Sequence, residues 1–155
     1  MSTELLDNIE ELARRAVACK RWRWMPGMAA WTVDAASGEV YSEGVRIVSQ
    51  PWKAEGQSER VRVVVDLPLL VPSLGTAFTS TLLPDLTDPA TLGCLLALVR
   101  EAWGNEASVS LNISSFWAVG GAKIQKGKSA GHTINLGIWK LTEVEALVAA
   151  LEVAP

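Results

Sequence analysis

Two clusters of side chains have the types and spacing to bind an anion. Lys20, Arg21, Trp22, Arg23 and Trp24 interleave cations with indoles. Ammonium and guanidinium groups pair with phosphate and indole rings stack on bases, so the run suits a nucleotide-like ligand. The same run also reads as structure, with Trp22 and Trp24 anchoring a helix-to-strand corner while Lys20, Arg21 and Arg23 stay in water. The second cluster is Ala122–Ser129, AKIQKGKS, which carries Lys123, Lys126 and Lys128. It fits a relaxed P-loop pattern with alanine at the first glycine. A P-loop needs a strand before it and a helix after it, because the helix N-terminus holds the phosphate. The following SAGHTINLGIWK alternates like a strand instead. The expectation is therefore a hairpin loop over residues 120–131, either simply solvated or with its lysines closing over an anion. Phosphoryl transfer through Lys128 is the weaker, enzymatic reading.

Other chemistry lacks its parts. His132 is the only histidine, and Cys19 and Cys94 have no CxxC spacing, so ordinary zinc patterns fail and no metal or cofactor is expected. Both cysteines fall on helices that face a core, which argues against a reactive thiolate and for packed, reduced thiols. No G-x-S-x-G elbow is present. The pairs Asp85/Asp88 and Glu143/Glu145 are explained by their places at helix starts. No catalytic set emerges, and a non-catalytic binding protein is expected.

Composition narrows the class further. The chain has 155 residues, which predicts a single domain, 1–155, with a real core. Its formal net charge of −3 argues against general nucleic-acid binding, which normally needs a basic protein. No apolar run reaches the roughly 18 residues of a membrane span. The acidic, amphipathic MSTELLDNIEELARR lacks the order of a secretory signal. These features together predict a cytoplasmic protein without a membrane partner. Tryptophan is over-used: seven, against one Tyr and two Phe. Buried, these rings pack a core; an exposed patch built from Trp52, Trp117 or Trp139 would instead point to a protein partner.

The elements that must position these residues can be read in order. Leu83–Gly104 holds the strongest signal. Asp88 is the predicted N-cap and Pro89 the first helical residue. Leu92, Leu95, Leu96, Val99 and Trp103 form a stripe, Cys94, Ala97 and Leu98 widen it, and Gly104 is the predicted stop. The helix is expected over Pro89–Trp103. An amphipathic helix is predicted over Thr3–Cys19, with acids early and bases late to match its dipole. The turn signal Pro26-Gly27 precedes an alternating Ala29, Trp31, Val33; Asp34–Gly38 is a turn and Val40–Val48 a second strand. Arg60–Leu67 reads as a third strand with Val61, Val63 and Val65 on one face. Pro68, Pro72 and Gly75 predict an irregular loop or one short edge segment up to Leu83. Ala107–Val119 and Thr133–Trp139 are expected to form a long-looped hairpin, and Thr142 with Glu145 a capping box for a last helix. The order α-β-β-β-α-β-β-α predicts an α+β fold with a mostly antiparallel sheet of about five strands and three helices.

RWRWMPGM, PDLTDPATLGCLLALVREAWG and TEVEALVAALEVAP together resemble a family of small uncharacterised phage and prophage proteins. The matching residues are Trp22, Trp24–Met28, Pro84–Trp103 and Glu145–Glu152. The resemblance implies a phage-encoded accessory protein in a bacterial cytoplasm and supplies no catalytic residues. The leading expectation is a protein that sequesters a ligand, such as a counter-defence protein trapping a nucleotide-derived immune signal. The alternative is an interaction module that inhibits a host protein. Exposed strands of a small sheet, together with the tryptophans, favour a homodimer over a monomer.

Overall fold

The computed structural model describes residues 3–65, 74–103, 107–111, 117–122, 133–140 and 142–155. Its elements are α1 (Thr3–Ala18), β1 (Ala29–Val33), β2 (Val40–Ile47), β3 (Arg60–Val65), β4 (Leu74–Phe78), β5 (Leu82–Pro84), α2 (Pro89–Ala102), β6 (Ala107–Leu111), β7 (Trp117–Ala122), β8 (Thr133–Lys140) and α3 (Glu143–Glu152). A 3-10 turn, Thr79–Thr81, joins β4 to β5. The class is α+β, with three helices, antiparallel pairing throughout and the expected order of helices and longer strands. Among the described residues, no helix is long and apolar enough to cross a membrane.

The strands form two sheets, one of five in the order β4-β3-β2-β1-β5 and one of three in the order β6-β7-β8. The chain divides into two compact units, Met1–Val17 with Arg23–Cys94 and Ala18–Trp22 with Leu95–Pro155. The first contains the five-stranded sheet and the second the three-stranded one.

In the first unit the β1–β2 hairpin is closed by Asp34. Its Oδ1 accepts from the N–H groups of Ala36 (2.7 Å) and Ser37 (2.8 Å). Those N–H groups, Ser37's first, hold its carboxyl below the usual range. Gly38 completes the turn at φ +74°, a conformation that glycine adopts without strain. On β3 the face predicted to carry the valines is the inner one: Val61 and Val63 are buried, whereas Arg62 is exposed. On α1, Leu12, Ala13 and Ala16 are buried, and Arg14 reaches back to Glu10 at 2.6 Å.

Two short strands occupy the stretch where Pro72 and Gly75 suggested a loop or one edge segment. β4 and β5 lie at the two edges of the sheet, where proline and glycine are tolerated. In the second unit the expected strand Ala107–Val119 is two strands, β6 and β7. No glycine or proline marks the break between them, so residue pattern alone did not show it. β7 runs on through Gly120 and Gly121 to Ala122, residues expected in the loop, and pairs antiparallel with β8. Gly104 and residues 123–132 lie outside the described residues. α3 packs on the three-stranded sheet. Its capping box forms as predicted, with Thr142 Oγ1 accepting from the Glu145 N–H (3.2 Å) and Glu145 Oε2 from the Thr142 N–H (3.1 Å).

Candidate functional site

The motif segments before β1 and at the start of α2 meet in one hydrogen-bonded corner of the first unit. Met25–Met28 make a turn with Gly27 at φ +97°, and the Gly27 N–H donates to the Ile47 carbonyl (2.8 Å). The Gly27 carbonyl accepts from Arg46 Nη1 at 2.8 Å, and Arg46 Nη2 reaches Asp88 Oδ1 at 3.3 Å. Asp88 caps α2 as expected, its Oδ2 accepting from the Thr91 N–H (2.8 Å) and hydroxyl (3.0 Å). Thr91 is fully buried, and its Oγ1 accepts from the Ala29 N–H at 2.8 Å. Burial is the largest influence on Asp88 and pushes its carboxyl up. The Thr91 N–H, Arg46 and the Thr91 hydroxyl together outweigh it and hold the group below the usual carboxylate range. Cys94 follows on the same helix. Burial first, and then the Asp88 charge, push its thiol up, which disfavours the thiolate. Arg46, Asp88 and Thr91 thus bond to one another and to the backbone of the turn and of β1.

The first predicted cluster is partly absorbed by structure too. Trp24 is 2% exposed, which leaves no ring face for a ligand to stack on and supports its reading as a corner anchor. Trp22 is half-buried, and its backbone N–H donates to the Cys19 carbonyl (3.0 Å). Arg21 donates through Nε (2.9 Å) and Nη2 to the Pro155 oxygen. Lys20 and Arg23 are exposed. Lys123, Lys126, Lys128 and His132 lie outside the described residues. Among the described residues, no group of three His, Cys, Asp or Glu is placed to hold a metal.

The other cluster of exposed chemistry-bearing residues lies on the outer face of the five-stranded sheet. Because Val61 and Val63 turn inward, the pleat turns Arg60, Arg62 and Val64 outward. The β3–β4 register sets Phe78 opposite Arg60, Thr76 opposite Arg62 and Leu74 opposite Val64. On the other side of β3, Trp52 is pinned to Arg60 by reciprocal backbone bonds of 3.0 and 2.9 Å. Val48 donates to the Arg62 carbonyl at 2.9 Å, which continues the β2–β3 ladder and puts Val48 opposite Arg62.

Two guanidiniums lie over two rings on this face. Arg60 Cζ is 4.7 Å from the Phe78 centroid, and Arg62 Cζ is 5.9 Å from that of Trp52. The rings remain open to solvent: Trp52 is 39% exposed and Phe78 43%, with Leu74 at 64% and Val48 at 44%. Among the described residues, no carboxylate lies within 4.0 Å of either arginine, and the buried Arg60 Nε has no hydrogen-bond partner. The face thus offers apolar and aromatic area together with uncompensated positive charge. A partner's carboxylates would pair with the guanidiniums and its apolar side chains would cover the rings.

Sequence pattern gave Trp52 as a patch candidate and set Arg62 on the face opposite the β3 valines. It missed Phe78 and Leu74, which sit in a segment that read as loop. The trace that could have found them is a short uncharged run, LGTAF, beginning after Pro72. No protein-family model, no curated protein and no solved structure matches this chain.

Proposed function

We propose that the protein is a non-catalytic interaction module that binds an acidic, partly apolar surface of another protein through the β3–β4 face. The observation that carries this reading is the pairing of Arg60 with Phe78 and of Arg62 with Trp52, on a face where both rings stay exposed. Tryptophan and arginine dominate interface energetics when a partner desolvates them, and exposed apolar patches mark contact sites. The nucleotide-trap expectation needed two clusters. One has Trp24 in the core and the other lies outside the described residues, so the sheet face carries the proposal. The resemblance to phage and prophage proteins makes a host protein the first partner to seek, with inhibition as the outcome.

Affinity capture from bacterial lysate, with the captured protein then purified and titrated, tests the proposal. Trp52→Ala and Arg62→Glu each weaken binding about tenfold or more, which is about 1.4 kcal/mol, and raised salt weakens the wild type. A partner that binds both variants as tightly as the wild type overturns it.

A further inference from the structure

The two edges of the five-stranded sheet differ. At one edge Leu82, Leu83 and Pro84 of β5 are all buried. At the other, every residue of β4 except Ala77 is exposed. Natural sheets protect open edges with lysine, proline, bulges or inward charges. Leu74–Phe78, LGTAF, has none of these: it carries no charge and no proline, and it pairs with β3 without a register shift.

Hydrogen-bond parity identifies which groups face the open side. The Thr79 N–H donates to the Glu59 carbonyl at 3.1 Å, so 59/79 is a hydrogen-bonded pair in the β3–β4 register. Alternation makes 61/77 and 63/75 the next such pairs. Leu74, Thr76 and Phe78 therefore turn their N–H and C=O groups away from β3, and of these the Phe78 carbonyl already accepts from Thr81 Oγ1 at 2.9 Å. The same three residues have their side chains on the outer face.

We propose that a second copy of this chain covers this edge, β4 against β4, antiparallel about a two-fold axis through Thr76. That register pairs all five residues of the strand. It sets Leu74 against Phe78 of the second copy, Thr76 against Thr76, and Phe78 against Leu74. The two Thr76 residues then exchange both backbone bonds, and each Phe78 N–H donates to the Leu74 carbonyl of the second copy, while the Phe78 carbonyl keeps its bond from Thr81 Oγ1. The two apolar side chains left open in the single chain, Leu74 and Phe78, cover each other across the strands. No like charges meet at the axis, because the strand has none. The arrangement is isologous and closes at two chains. It joins the two outer faces into one continuous ten-stranded surface, and it goes beyond the partner proposed for that face. Five residues a side bury less than the roughly 800 Å² per partner of a standard interface, so micromolar self-association is expected.

Sedimentation across micromolar to near-millimolar concentration tests the proposal. The wild type reaches the mass of two chains. Thr76→Pro removes one outward N–H without touching a bond to β3, so it keeps the wild-type melting transition and weakens self-association about tenfold or more. Thr76→Lys puts like charges at the axis and does the same, which keeps the test intact if the proline variant does not fold. Thr76→Cys cross-links to itself on mild oxidation, since opposed residues in a hydrogen-bonded pair sit about 5.5 Å apart, within disulfide reach. Leu74→Cys does not, because its counterpart lies about four residues away along the strand. A one-chain mass at every concentration overturns the proposal. So does a two-chain mass that both folded Thr76 variants retain, or one without the Thr76→Cys cross-link.

Discussion

Arginine is used in two opposite ways within the first unit. At the corner, Arg46 donates to the Gly27 carbonyl and to Asp88, and that carboxylate in turn caps α2. On the sheet face, Arg60 and Arg62 lie over the rings of Phe78 and Trp52, with no described carboxylate in reach. Directional, reciprocal bonds fix geometry, and losing one member leaves others unsatisfied. Contact over an exposed ring fixes little and leaves charge available to a newcomer. The corner holds the most distinctive sequence and has the marks of scaffold. The face has a plain sequence and the marks of a working surface.

The comparison breaks first at Thr91. The side chain is fully buried and is the acceptor for the Ala29 N–H. Thr91→Val keeps the shape but strands that N–H and removes one donor to Asp88. Leaving a buried donor unmet costs about 1–3 kcal/mol, so chemical denaturation should show a loss of that size. A loss under about 0.5 kcal/mol, the usual range for unremarkable surface changes, would mean the corner is not the scaffold its bonds suggest.

Asp88 gives a smaller effect with a pH signature. Loss of a helix N-cap carboxylate costs about 0.5–2 kcal/mol, so Asp88→Ala should destabilise the protein by that amount near neutrality. Its folded-state carboxyl titrates below the ordinary value of 3.8, so the unfolded chain binds the proton more readily. The stabilisation is therefore fully present above that value and is lost as pH falls through the lowered folded value. Urea midpoints of wild type and Asp88→Ala should converge below pH 3.8 and stay apart above it. A constant gap at all pH would assign the effect to packing instead of charge.

The corner and the face also differ in how far the sequence disclosed them. Asp88 before Pro89, the glycine of the Met25–Met28 turn, and Thr142 with Glu145 are local signals, and each forms the cap or turn its residue types imply. What local pattern does not carry is partnership at a distance. Nothing near Arg46 says that it will reach Asp88 forty-two residues on. Nothing in LGTAF says that Phe78 will lie under Arg60. Valine alternation on β3 did set Arg62 on the face opposite Val61 and Val63, because a strand has only two faces. The identity of the strand beside it depends on sheet order, which residue spacing does not encode. Trp22 and Trp24 show the converse: a run suited to ligand binding by composition has one indole in the core.

The smallest expected effect is the most discriminating. Arg62→Gln removes a contact over a partly exposed ring, worth about 0.5–1 kcal/mol at most, so its denaturation midpoint should stay close to the wild type. Arg46→Gln, which breaks hydrogen bonds made by a charged donor, should cost about 1.5–3 kcal/mol. Fluorescence quenching then separates charge from access. Trp52 is 39% exposed beside the Arg62 cation, so iodide should quench it more strongly than Arg62→Gln, while neutral acrylamide should quench both alike. In a Trp52→Phe background the iodide difference should vanish, which assigns it to that ring among the seven tryptophans. If Arg62→Gln instead costs as much stability as Arg46→Gln, the guanidinium over Trp52 is a brace like its counterpart at the corner. The face would then lose the free charge on which its reading as a binding surface depends.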